Sequence, residues 1–268
     1  MSEEERMRLF VLVKDEKQNL PRCLSGWTGE GFDVTVLDSG SRDGSLDIAR
    51  GYPRVATVEW IYVNHAVAYN EILTRLASPG EWVVIVDADM LPTTGLKREI
   101  VAAVASSVAE VWSAPIKMWW AGHELRYGSL CPPKAILFRA GRCLFERSGH
   151  GERLVAGAEV GELKCGVIHD DRKPYSQTLM SQARYGDSLA ANVVGGGAGL
   201  KDRVRYRLPL FIVLTPVWSL FARAGVLSGK VGWIYALDRL IAEAILHRQC
   251  MARELEGKGQ HAGSTLSR

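Results

Sequence analysis

Apolar runs broken by short polar turns set the rhythm of the first hundred residues. "RLFVLV" (8–13), "DVTVLD" (33–38), "ATVEWIYV" (56–63) and "EWVVIVDAD" (81–89) are short and rich in Val, Ile and Leu. Such runs predict strands buried on both faces. Between them, "KDEKQN" leads into a helical stretch through Trp27, "SGSRDGS" feeds a helix to about Arg50, and "AVAYNEILTRLA" has helical spacing. "TTGLKREIVAAVASS" predicts a further helix with Thr93 or Thr94 as its N-cap. This alternation predicts an α/β fold with a mostly parallel sheet flanked by helices, and ligands bind such sheets beyond the C-terminal strand ends.

From about residue 110 the pattern shortens. "EVWSAPIKMWW", "KAILFRA", "ERLVAGAEV" and "ELKCGVIH" are extended pieces divided by Gly and Pro, which suggests a mixed sheet. Residues 175–192 predict a helix ending near "GGGAG". Then come "LKDRVRYR", "LPLFIVLTPVWSLFARAG", an amphipathic stretch from about 229 to 254, and a polar tail. The expected organisation is a domain over 1–195, with a nucleotide-sugar half (1–100) and an acceptor half (101–195). A helical segment over 200–256 and an unstructured tail over 257–268 complete it.

Composition narrows the classes. Hydrophobic residues at 47% fill a core, 24% charged residues is ordinary, and a net charge of +3 makes no demand for nucleic acid as a partner. The five cysteines form no C-x-x-C pair and read as reduced thiols. The start, "MSEEERMR", is polar and lacks the apolar core of a signal peptide, so a cytoplasmic location is expected.

Candidate chemistry gathers at the strand ends. Asp87 and Asp89 flank one alanine at the end of an apolar run, where like charges repel unless something compensates. They either share a hard divalent cation or cap the following helix. Asp38 ends another strand and suits the N–H of a nucleobase or the hydroxyls of a ribose. Ser39, Gly40 and Ser41 let the backbone come close to a ligand. Asp43 reads equally as an N-cap. His169 closes "CGVIH" as a structural histidine or a ligand, and Arg172 and Lys173 suit phosphate oxygens or solvent.

"LFVLVKDEKQNLPRCLSGW", "VTVLDSGSRDGSLDIA" and "WVVIVDADMLPT" resemble, in order and spacing, the three successive signatures of family-2 glycosyltransferases with the GT-A fold. "GHGERLVAGAEVGELKCGVIHDDRKP" is similar to the acceptor-side region of a subgroup that builds lipopolysaccharide core and other bacterial envelope glycans. The resemblance implies that Lys14, Glu16, Asp38, Ser39, Ser41, Asn70, Asp87, Arg172 and Lys173 contact a nucleotide diphosphate sugar. It implies that Asp87, Asp89 and His169 place Mn²⁺ or Mg²⁺ on the diphosphate. It further implies inversion at the anomeric carbon, with Glu152 as the base and Asp170 and Asp171 next in line. Members often carry a basic residue where Tyr69 precedes Asn70. The Q-x-x-R-W motif of processive enzymes is absent, which favours transfer of a single sugar. The alternatives are a catalytically inactive nucleotide-sugar-binding protein and a nucleotidyltransferase.

"LPLFIVLTPVWSLFA" (208–222) is too short, and too interrupted by Pro209 and Pro216, for a spanning helix. Lys201, Arg203, Arg205, Arg207 and Arg223 flank it. That combination suits an element lying on an anionic membrane surface, or else a helix packed on the domain or in a homodimer. A lipid-linked or glycan acceptor and a peripheral position on the cytoplasmic face of the inner membrane agree with the first choice.

Overall fold

The computed structural model describes residues 6–29, 31–106, 108–148, 151–155 and 158–265. The predicted strands appear as β1 (Met7–Val13), β2 (Phe32–Asp38), β3 (Val55–Glu59) and β4 (Trp82–Asp87), all parallel. Helices α1 (Leu20–Trp27), α2 (Ser45–Arg50) and α3 (His65–Glu71) connect them, the last continued by a π-helical turn over 72–76. Then follow β5 (Met90–Pro92), α4 (Leu96–Ser106), β6 (Val111–Ala114), β7 (Ile116–Trp120), β8 (His123–Glu124) and β9 (Lys134–Arg139). Strands β10 (Phe145–Ser148), β11 (Gly151–Leu154), β12 (Val160–Glu162) and β13 (Val167–His169) close this part.

The main sheet has the order β12-β6-β9-β4-β1-β2-β3, and β9 runs antiparallel between β4 and β6. A second sheet, β5-β13-β7-β8, and the hairpin β10-β11 stand apart from it. Alternation along β1 explains why the central strands are apolar throughout. Leu9, Val11 and Val13 pack into one core with Leu24 and Trp27, while Phe10 and Leu12 enter a second core with Tyr69 and Phe138. Burying each such side chain stabilises by about 1.5–3 kcal/mol.

Two expectations shift. The strand expected over 56–63 stops at Glu59, because the Trp60 indole donates to Glu71 (2.6 Å) and turns the chain toward α3. Ile61 is left 83% exposed, and Asn64 caps α3 through the Val67 N–H (3.0 Å). The N-cap expected at Thr93 or Thr94 also moves. Thr93 donates its hydroxyl to the Gly166 carbonyl (2.6 Å), and the Gly95 carbonyl accepts the Glu99 N–H at the start of α4.

The chain divides into two compact units, Met1–Glu124 with Cys131–Lys173, and Leu125–Leu130 with Pro174–Arg268. The second holds α5 (Tyr175–Val194), α6 (Leu200–Arg207), α7 (Phe211–Val217) continued by a π-helical turn over 218–222, a 3₁₀ turn (Gly225–Ser228) and α8 (Lys230–Thr265). The unit boundary thus falls at 173/174 where the sequence suggested 195. Helix α5 packs on α8 closely enough that a Cβ on Gly186 would stand 3.1 Å from Ile245, and Gln249 donates to the Ala183 carbonyl (2.8 Å). Helix α8 also continues to Thr265, past Gly257 where the polar tail is expected to begin; extending a long helix by a residue costs little once it is nucleated.

Candidate active site

Adjacent strand ends in the first unit build the site. Across the β2-β1-β4 order, Asp38 is in register with Val13 and Asp87 with Leu12, so the two residues end their strands one step apart on either side of the β1 end. Lys14, the next residue, donates to the carbonyls of Ser39 (3.1 Å) and Gly40 (2.5 Å). Asp38 is buried. Its Oδ2 accepts the N–H groups of Gly40 (3.0 Å) and Ser41 (2.9 Å), while Oδ1 is buried with no hydrogen-bond partner. Gly40 holds φ +78°, a conformation that suits glycine and leaves the turn narrow.

The two β1 and β2 turns are stitched together. The Ser41 hydroxyl accepts the Asp15 N–H (2.9 Å), and Asp43 accepts the N–H groups of Lys17 (2.9 Å) and Ser45 (3.0 Å). Asp43 therefore acts in the local structure, but the N-cap of α2 is Gly44, so the N-cap expected at Asp43 lies one residue further on.

The repulsion between Asp87 and Asp89 is answered by cations of the chain itself. Lys134 Nζ lies 2.5 Å from Asp87 Oδ2, and His169 Nε2 lies 3.2 Å from Asp89 Oδ2. Burial alone would raise both carboxyls. For Asp87, Lys134 and His65 reverse this; for Asp89, His169 and then Lys173 hold it well below the usual carboxylate range. Burial alone would lower the His169 imidazole, yet the Asp89 carboxylate beside it lifts it to about 9. Strand β13 delivers His169 by pairing it with Met90 of β5, one residue beyond Asp89.

Asp89 Oδ1 is buried and has no hydrogen-bond partner. An orphaned carboxylate oxygen beside a second ionised carboxylate fits a hard divalent cation, and an imidazole nitrogen completes a donor set suited to Mn²⁺. Among the described residues no group of three or more His, Cys, Asp or Glu is drawn together tightly enough to hold an ion alone. A carboxylate pair that finishes its coordination on diphosphate oxygens needs no such cluster.

A polar latch joins the start of α1 to residues 169–173. Asn19 is fully buried and donates to Glu16 (2.7 Å) and Asp171 (2.8 Å), while its oxygen accepts from Arg22 (3.0 Å) and the Arg172 N–H (2.8 Å). Lys173 pairs with Glu16. Burial pushes the Glu16 carboxyl up to about 7 against the pull of Lys173. Asp170 Oδ2 receives Arg22 Nη1 (2.8 Å) and Arg172 Nε and Nη2 (2.8 and 2.6 Å). Burial would raise the Asp170 carboxyl, but these guanidiniums lower it, so Asp170 is a poor proton acceptor and a good clasp. Asp171 is likewise tied, to Asn19 and the Lys173 N–H (3.0 Å). Arg172 and Lys173 thus hold this latch in the chain alone.

Asn70 takes a different place from the expected donor contact. Both ends of its amide meet the Phe145 backbone (2.8 and 2.9 Å), pinning β10 to α3, because the side chain points along the helix flank where β10 passes. Glu152 lies in β11, in register with Arg147 of β10, and its side chain falls outside the described residues. Three contributors escaped sequence reasoning. Lys134 comes from a strand 47 positions after Asp87, and only the antiparallel β4-β9 pairing brings it near. Asn19 and Arg22 read as an ordinary helix start.

Residues 9–116 match the family described as glycosyl transferase family 2. This segment, less than half of the chain, contains all three strand ends that form the site. Over that segment the chain is similar to the family-2 glycosyltransferases. A TPR repeat-containing protein of Synechococcus elongatus is 32% identical over 85 residues, which is 31% of this chain and 20% of that protein. The chain thus spans about a fifth of that relative's length. Among solved structures, S. aureus TarS 1–349 superposes over 94% of this chain and 92% of its own with 14% identity and a TM-score of 0.44. The same protein in complex with UDP-GlcNAc covers 95% and 92% at 14% identity and a TM-score of 0.46. A 4-diphosphocytidyl-2C-methyl-D-erythritol synthase covers 51% of this chain and 76% of its own at 19% identity and a TM-score of 0.37.

Proposed function

We propose that the protein is an inverting, divalent-metal-dependent glycosyltransferase. It moves a single sugar from a nucleotide diphosphate sugar to a lipid-linked or envelope-glycan acceptor, and works peripherally on the cytoplasmic face of a bacterial inner membrane. The observation that supports the reading is that Asp38 and Asp87 end the two strands on either side of β1.

Asp38 Oδ1 accepts from the base or ribose, and the narrow turn at Ser39–Ser41 admits the ligand against the backbone. Asp87 and Asp89 would hold Mn²⁺ or Mg²⁺, with His169 available as a third donor once its proton leaves. When bound, the cation supplies charge neutralisation on the leaving diphosphate. Lys134 and Lys173 add fixed positive charge to the same mouth. Glu152 takes the proton of the acceptor hydroxyl as that oxygen attacks the anomeric carbon, and the electrons of the broken C–O bond depart with the nucleoside diphosphate.

The test is product analysis with a panel of nucleotide sugars, with and without Mn²⁺. The reading expects release of a nucleoside diphosphate that chelator abolishes. Pyrophosphate release would assign a nucleotidyltransferase instead, and binding without any turnover would leave an inactive binder.

A further inference from the structure

The second unit carries a surface that its own packing leaves unexplained. Along α7 and its π-helical continuation, Leu210, Val213, Leu214, Val217, Trp218 and Phe221 are all exposed. Their spacing of three and four places them on one stripe. The opposite face buries Pro216, Ser219 and Leu220, so this helix turns its apolar side outward. The 3₁₀ turn exposes Val226 and Leu227, the latter by 71%. On α8, every exposed residue between 231 and 240 is apolar: Trp233, Ile234, Leu237 and Leu240. From Leu208 to Leu240 the exposed charged residues are Arg223 and Lys230, both basic, and exposed Arg207 precedes them.

This is a built surface. Helix α8 packs on α7 and on the 3₁₀ turn. A Cβ on Gly232 would strike the Gly225 carbonyl, and one on Gly225 would come within 2.7 Å of the Ser219 carbonyl. The segment 125–130 is fastened beneath by Ser219 Oγ donating to the Gly128 carbonyl (2.7 Å), by the Tyr127 N–H donating to Ser228 Oγ (2.9 Å), and by the Leu130 N–H donating to the Tyr235 hydroxyl (2.9 Å). Small residues lock the helices together while the large apolar ones point away from the lock. Contiguous apolar exposure of this kind marks an interaction site.

We propose that the α7–α8 hairpin is a preformed anchor that lies in the headgroup region of an anionic bilayer. The inference rests on the membrane-associated function proposed above and gives it its surface. Among the described residues no helix is long and apolar enough to cross a membrane, which leaves an in-plane position. Trp218 and Trp233 suit the interface between apolar chains and water. The basic rim complements anionic headgroups, whereas a two-fold contact between copies would bring the same patch, with Arg223 and Lys230, against itself. Arg205 has another duty: it pairs with buried Glu243 and helps hold α6 to α8.

The test is co-flotation of the full chain with phosphatidylcholine vesicles and with vesicles containing phosphatidylglycerol. The wild type is expected to float with the anionic vesicles. Trp218→Ser, Phe221→Ser and Leu227→Ser combined should reduce binding by more than about tenfold, because they remove inserted area and no core contact. Arg223→Glu with Lys230→Glu should weaken binding to anionic vesicles and flatten its salt dependence. Donor hydrolysis in all variants should match the wild type. Flotation unaffected by the triple variant overturns the proposal. So does a dimer in sedimentation that the triple variant dissociates while vesicles bind nothing. Absent hydrolysis with flotation intact would sink the enzyme reading alone.

Discussion

The two compact units treat charge and apolar surface in opposite ways. In the sheet unit, apolar side chains fill both faces of the central strands, and carboxylates at the strand mouths are drawn inward against Lys134, His169, Lys173, Arg22 and Arg172. In the helical unit, Trp218, Phe221 and Leu227 face outward, while Ser219, Glu243 and His247 are buried. His247 serves the end of α6 there: Nδ1 lies 2.8 Å from the Glu243 carbonyl and Nε2 3.1 Å from that of Leu208. Buried charge that exceeds what packing needs points to a ligand, and exposed apolar area that exceeds it points to a partner surface.

The largest effect expected in the sheet unit is on chemistry. Glu152→Gln should lower kcat by about 10²–10⁴-fold, the usual contribution of a positioned base, with nucleotide affinity little changed. Steady-state kinetics and a binding titration check both parts. If activity survives in Glu152→Gln but is lost in Asp171→Asn, the base is Asp171.

Asp89→Asn should reduce metal-dependent turnover by about 10²-fold or more, because a preorganised electrostatic contact at the leaving group is removed. Circular dichroism should show the fold retained, as the amide still meets His169.

Asn19→Ala strikes the latch and separates structure from chemistry. It leaves Glu16, Asp171, Arg22 and the Arg172 N–H each short of a partner, so stability should fall by about 2–4 kcal/mol in denaturant unfolding. A loss under about 1 kcal/mol would mean that water replaces the amide.

Lys134→Met tests the stand-in cation. In chelator the variant should melt lower, by about 1–3 kcal/mol in stability, because Asp87 loses its partner. Added Mn²⁺ should recover more stability in this variant than in the wild type, since one competitor for Asp87 is gone.

The smallest effects belong to the helical unit. Gly232→Ala forces a methyl into the Gly225 carbonyl and should cost about 1–3 kcal/mol, whereas Trp218→Ser should change stability by less than about 0.5 kcal/mol. Reversal of that order would mean that Trp218 is covered in the free protein.

The α/β alternation was legible because central strands buried on both faces cannot hide their apolar runs, as β1 and β4 show. Asp38, Asp87 and Asp89 were legible because short acidic residues at apolar strand ends demand compensation. The compensation itself was hidden. Lys134 and the Asn19 latch depend on strand pairing and on contacts spanning 152 positions, which no local pattern carries. The contact of the Asn70 amide with the passing Phe145 backbone is hidden in the same way. The 208–222 stretch reads as an apolar element with basic flanks, yet the outward stripe extends to Leu240 and Arg205 turns inward to Glu243. Helix period gives the stripe, but only packing tells which side faces out.

The central claim is that the orphaned oxygens of Asp38 and Asp89 belong to one ligand, a nucleoside diphosphate bound together with a divalent cation. Thermal unfolding with a panel of nucleoside diphosphates, each with Mn²⁺ and with chelator, tests it most directly, since a ligand of the native state raises its stability. One nucleotide is predicted to raise the melting temperature with Mn²⁺ far more than without it. Asp89→Asn should lose the metal-dependent part, and Asp38→Asn should lose the nucleotide effect altogether. A shift of equal size in chelator, or one that survives in both variants, would contradict the account.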